Sequence, residues 1–87
     1  MKNYVYVLKS LKDNGYYIGV THNVTLRFQN HNTGFVRSTR HRRPMKVVYT
    51  EIFETKHEAL LRERFLKKQK GGDVFKRIIG KINHVAG

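Results

Sequence analysis

Asn3 to Leu8, "NYVYVL", is rich in Tyr and Val and alternates in side-chain character, the pattern of a β-strand. "LKDNG" follows as a turn, and "YYIGVT" is a second strand. Two such runs about an Asn-Gly turn predict a β-hairpin. Asn23 is a good N-cap for a helix beginning at Val24. On that helix Val24, Phe28 and His31 share a face, Arg27 lies beside it, and Thr33 and Gly34 close it. "FVRSTRHRRP" reads as a basic loop, and "MKVVYTEIF" as a third strand.

Thr55 with Glu58 three residues on matches a capping box, which opens a second helix ending at Gly71-Gly72. Asp73 is placed as the cap of a third helix. There Phe75, Ile78, Ile79 and Ile82 recur at i, i+3, i+4 and i+7, the cleanest amphipathic repeat in the chain. The predicted order is β-β-α-β-α-α. Each apolar face needs a partner layer, so the expected architecture is an α/β fold of the α+β type, a small three-stranded antiparallel sheet flanked by helices. At 87 residues the chain is expected to be one domain, 1–87.

Charge changes the picture most. Eighteen Lys and Arg against six Asp and Glu give a formal +12. Such a surplus repels itself and attracts polyanions. Phosphate backbones are the expected partner, bound in a salt-sensitive way. With no cysteine there is neither a disulfide framework nor a thiolate metal site. No apolar run approaches bilayer-spanning length, and the amino terminus lacks a signal-peptide pattern. A soluble cytoplasmic protein without membrane contact is expected.

Several chemistries are poorly supplied. The chain has no Gly-x-Ser-x-Gly, P-loop or dinucleotide fingerprint. Its histidines form no i, i+4 pair and have no Cys partner, which disfavours structural zinc. Six acids barely supply the closely grouped carboxylates that a two-metal site needs.

A different constellation remains. Tyr6 and Tyr17 lie in the two hairpin strands and stand close if they share a face. Arg27 and His31, four apart on the first helix, are surface neighbours. Glu63 projects between Ala59 and Leu60 beside Leu66, at the margin of an apolar face where an unpaired charge is costly. A bound cation would remove that cost. Each residue also has an ordinary reading: sheet tyrosines, a solvated arginine, a helix-end histidine, a Glu63–Lys67 pair, and a Gly19 that marks a bulge or a close backbone approach.

Taken jointly, these residues resemble the GIY-YIG nuclease superfamily in its short stand-alone bacterial form. The first motif appears as Tyr4-Val5-Tyr6 and the second as Tyr17-Ile18-Gly19. The family's arginine is matched by Arg27, its histidine by His31, and its metal-binding glutamate by Glu63 within "EALLRERFLKK". The likeness runs from about Tyr4 to Lys70, with Tyr4 and Val5 standing where the first motif has Gly and Ile.

The resemblance implies metal-dependent hydrolysis of phosphodiester bonds, in DNA more than RNA, with structured or branched DNA of repair or recombination as a candidate substrate. Glu63 would hold one divalent ion, Mg²⁺ or Mn²⁺. Arg27, always protonated, would stabilise charge on the phosphate. Tyr6 would be the general base, its phenol pKa lowered by Arg27 and its surroundings from about 10. Tyr17 would orient water or phosphate, and His31 would assist by hydrogen bonding or proton transfer. The choice between Tyr6 and His31 as base stays open. Arg37, Arg40, Arg42, Arg43, Lys67, Lys68 and Lys70 would track the backbone of the nucleic acid. The competing reading is a catalytically inactive nucleic-acid-binding module, and monomer and homodimer are both open.

Overall fold

The computed structural model describes residues 1–80. Its elements are β1 (Asn3–Ser10), β2 (Tyr16–Thr21), α1 (Val24–Asn32), β3 (Met45–Phe53), α2 (Lys56–Gln69) and α3 (Asp73–Ile79), with a single 3₁₀ turn at Arg40–Arg42 before β3. The order is the expected β-β-α-β-α-α. The three strands form one antiparallel sheet in the order β2-β1-β3, so β1 is central and the other two are edges.

Alternation along β1 divides the core between the two faces of this sheet. Val5 and Val7 point to one face, where they pack with Ile18, Tyr49, Ala59, Leu66 and Phe75; this layer is roofed by α2 and α3. Tyr6 and Leu8 point to the other, with Met45 and the partly buried Tyr17, Val24 and Phe28, beneath α1. Two thin layers on one three-stranded sheet are all that a chain of this size can build.

The caps follow the local chemistry. The Asn23 side chain accepts from the Leu26 amide, and the Thr55–Glu58 box is reciprocal. After α1, Thr33 caps and Gly34 takes a left-handed φ of 89°, which a residue with a Cβ adopts only under strain. Two expectations shift. Asp73 is the first residue of α3 rather than its cap; Gly72 holds the cap position, and the Asp73 carboxylate sits in the first turn, where the helix dipole favours it. The hairpin connection is a five-residue loop rather than a tight Asn-Gly turn, with Asn14 at φ 61° and the Ser10 amide bonded to the Gly15 carbonyl at 2.9 Å. Ile82 lies outside the described residues.

Candidate active site

β1 and β2 pair so that Tyr6 stands opposite Gly19 and Leu8 opposite Tyr17. All four therefore share the face under α1. On α1, Arg27 and His31 are four apart and lean toward the same patch. Convergence follows. The Tyr6 hydroxyl lies 3.0 Å from His31 Nε2, and Arg27 Nε donates to that hydroxyl at 3.3 Å. The Tyr17 ring meets the His31 ring edge-on at 4.7 Å between centroids, and the Tyr6 ring at 6.2 Å.

Arg27 can only donate, so the Tyr6 oxygen accepts from it, and Tyr17 is a further hydrogen-bond partner of both Tyr6 and Arg27. An accepting Nε2 leaves the proton of a neutral imidazole on Nδ1, which donates to Thr39 Oγ1 at 2.7 Å. The Thr39 hydroxyl then donates to the Val36 carbonyl at 3.4 Å. Arg27, Tyr6, His31 and Thr39 thus form one hydrogen-bonded line, in which Arg27 is the fixed donor and the His31 tautomer sets the direction of the rest. His31 and Thr39 are both fully buried. Nothing local in the sequence marks Thr39. The signal would have been indirect: a buried histidine needs a partner for its second nitrogen.

Burial sets the protonation states. His31 is pushed down to about 4, first by desolvation and then by the Arg27 charge, so at neutral pH it is uncharged. Tyr6 is pushed up to about 12, because its desolvation outweighs the Arg27 hydrogen bond that pulls it down. The expectation that Arg27 would lower the phenol pKa below its ordinary value is therefore corrected: removal from water is the larger effect.

Gly19 is explained by Tyr6. A Cβ at position 19 would lie 2.5 Å from the Tyr6 hydroxyl oxygen and 2.7 Å from Cζ. The close approach is that of a side chain, and the ring making it is itself only 1% exposed.

Glu63 is placed differently from the other four. It stands on α2, whose buried Ala59 and Leu66 pack on the opposite face of the sheet. Its carboxylate pairs with Lys67 Nζ at 3.2 Å, one turn on. Among the described residues no three His, Cys, Asp or Glu side chains form a metal cluster. Glu63 nevertheless borders an open pocket with Leu60, Arg64, Lys67 and Lys68. A single carboxylate, 19% exposed and sharing its surroundings with Arg64, Lys67 and Lys68, would meet a hydrated magnesium-type ion only if Lys67 gives way.

The basic residues divide. Arg37 and Lys68 are exposed. Arg42 is paired: its Nε bonds Asp13 Oδ2 at 2.9 Å, and this holds the Asp13 carboxyl down at about 2. Arg40 and Arg43 anchor their Nε atoms on the Gly34 and Arg40 carbonyls, each at 2.9 Å. Lys70 reaches the Tyr16 carbonyl at 3.4 Å.

Residues 2–77 match the family model described as the GIY-YIG catalytic domain. The chain belongs to the GIY-YIG family. Similar proteins include a UPF0213 protein of Clostridium perfringens, 49% identical over 67 residues that cover 76% of this chain and 71% of that one. A UPF0213 protein of Staphylococcus haemolyticus is 46% identical over 67 residues, 76% of this chain and 80% of its own. The solution structure of a UPF0213 protein from Bacillus halodurans is similar with a TM-score of 0.57 and 33% identity, over 93% of this chain and 86% of that one. Among the described residues of this GIY-YIG domain, no helix is long and apolar enough to cross a membrane.

Proposed function

We infer that this GIY-YIG domain is a metal-dependent endonuclease that hydrolyses phosphodiester bonds in DNA, acting in the cytoplasm on structured or branched substrates. The observation that carries the reading is the line Arg27–Tyr6–His31, in which a charged donor, a phenol and a neutral imidazole meet within 3.3 Å contacts.

A phenol at about 12 is not a free base at neutral pH. Its oxygen can still accept a proton from an attacking water if its own proton moves to Nε2 of His31 in the same step. Resting values near 12 and 4 oppose that transfer. Substrate changes the balance. Desolvation, the larger cause of the low His31 value, remains when substrate binds, but a phosphate on Arg27 offsets the lesser one, the positive charge, and so favours the imidazole as acceptor. The hydroxide forms its bond to phosphorus, the bond to the leaving oxygen breaks, and that oxygen takes a proton from solvent. Arg27 stabilises the charge that builds on the phosphoryl oxygens. Tyr17, against the His31 ring, limits water and positions the phosphate.

Glu63 would hold a single Mg²⁺ or Mn²⁺, releasing Lys67. Such an ion supplies Lewis-acid stabilisation of the phosphoryl and leaving oxygens. β2 is an edge strand, and the reading requires a phosphodiester chain that crosses this edge to reach both α1 and α2.

The test is a panel of linear, nicked, flap and branched DNA, with matched RNA, incubated with Mg²⁺ or Mn²⁺. Cleavage lost in Glu63→Ala and Arg27→Ala, with both variants folded, is the expected result. Salt-sensitive binding that survives Glu63→Ala, without cleavage of any substrate, would instead favour an inactive nucleic-acid-binding module.

A further inference from the structure

The hairpin loop and the segment before β3 are tied together at three points. Arg42 Nε donates to Asp13 at 2.9 Å, Ser10 Oγ donates to the Arg42 carbonyl at 2.7 Å, and the Leu11 amide donates to the Pro44 carbonyl at 2.8 Å. These ties bring Lys12 to a loop that lies about thirty residues away in sequence. The result is an open pocket lined by Lys12, Asn32, Arg40, His41, Arg43 and Pro44, with no acidic side chain in its wall.

Gathering like charges costs energy unless something compensates. In this pocket the cost is met by structure. Arg40 and Arg43 are each held through Nε on a backbone carbonyl at 2.9 Å. That contact fixes the plane of each guanidinium and leaves its two terminal nitrogens for a ligand. A pair of pre-oriented forks with an ammonium beside them is suited to the oxygens of a phosphate, which accept paired N–H donors. Much of the side-chain entropy of binding has already been lost in the free protein.

We propose that this pocket is a phosphate site, distinct from the Tyr6 cluster, that takes one backbone phosphate of the nucleic acid outside the bond being cut. The proposal rests on the nuclease reading for the identity of the strand, and it deepens that reading by adding a register-setting contact. Two junctions link the pocket to the reacting side chains: Asn32 directly follows His31, and Arg40 directly follows Thr39. A phosphate held here sets the strand relative to Tyr6. It carries no base information, because phosphate contacts position rather than specify.

The test is made without catalysis, so that its outcome is separate from that of the cleavage panel. Binding of a short fluorescein-labelled DNA duplex to the Tyr6→Phe protein is measured across salt concentrations in metal-free buffer. Added on that background, Arg40→Gln with Arg43→Gln is expected to weaken binding roughly tenfold or more and to flatten the log K against log salt slope by about one. Arg40→Lys with Arg43→Lys keeps the charge but loses the fork, and is expected to lose most of the same affinity. Lys12→Gln, whose side chain holds no part of the fold together, is expected to weaken binding several-fold. Lys56→Gln, which removes an exposed charge outside the pocket, is expected to change it little. Inorganic phosphate is expected to shift the amide signals of Lys12 and Arg40 to Arg43 in a saturable way. The proposal is overturned if the double lysine variant binds like its parent, if Lys56→Gln costs as much as Lys12→Gln, or if phosphate shifts are scattered and unsaturable. Any of those results means a diffuse field rather than a built site.

Discussion

Tyr6 and Gly19 face each other across the β1–β2 ladder, and the phenol occupies the space a Cβ at position 19 would need. The ring is rigid and enclosed, so it cannot yield as a flexible side-chain end would. Gly19→Ala is expected to displace Tyr6 from His31 Nε2 and from Arg27. The stability cost is that of overpacking, about 1–3 kcal/mol. The cost in cleavage rate is expected to be larger, at least a hundredfold, because reacting groups tolerate little displacement. Thermal melting beside single-turnover cleavage separates the two.

His31 makes stability depend on pH in a definite direction. Its folded pKa, near 4, lies below the ordinary value of 6.5, so between those values the unfolded chain binds the extra proton. The folded state is then fully favoured above about pH 6.5 and loses stability as pH falls toward 4, by at most about 1.4 kcal/mol per pH unit. His31→Gln is expected to flatten that part of the curve. The check is a denaturant-melt series from pH 7 to pH 4 on both proteins, together with NMR titration of the His31 ring.

Tyr6 acts at the other end of the scale. Its folded value of about 12 lies above the ordinary 10, so the unfolded phenol ionises first and stability is lost as pH rises from about 10 to 12. Tyr6→Phe is expected to remove that loss. Phenolate absorbance during alkaline titration reads it directly.

Asn32 closes α1 onto β3 with two hydrogen bonds, accepting from the Met45 amide at 2.7 Å and donating to the Met45 carbonyl at 2.9 Å. Asn32→Ala strands both backbone groups, at about 1–3 kcal/mol for an unsatisfied partner. A fall in Tm of roughly 5–15 °C is expected for a domain of this size, read by calorimetry.

The elements were legible because their signals are local. The Tyr-Val alternation of β1, the Asn23 cap and the Thr55–Glu58 box each lie within a few residues of the structure they specify. The α1 half of the site was legible for the same reason, since Arg27 and His31 sit one turn apart on a helix whose start is marked. Thr39, by contrast, looks like any loop threonine. Its contact with His31 depends on how the segment before β3 folds back, which no periodicity reports. For the pKa of Tyr6, sequence shows the neighbouring charge but not the depth of burial, and burial is the larger effect. Arg42 similarly reads as one more basic residue until Asp13 is seen beside it. For Glu63, helical projection marked the margin of the apolar face, and Lys67 supplies its partner there.

The most direct test of the account is single-turnover cleavage of the best substrate from the DNA panel, with Mg²⁺ present, by the wild type, Tyr6→Phe and His31→Ala. The account expects each variant to bind the substrate within a few-fold of wild type and to lose at least a hundredfold in cleavage rate. Cleavage by Tyr6→Phe at the wild-type rate would contradict it, because no proton could then be passing through the hydroxyl that joins Arg27 to His31.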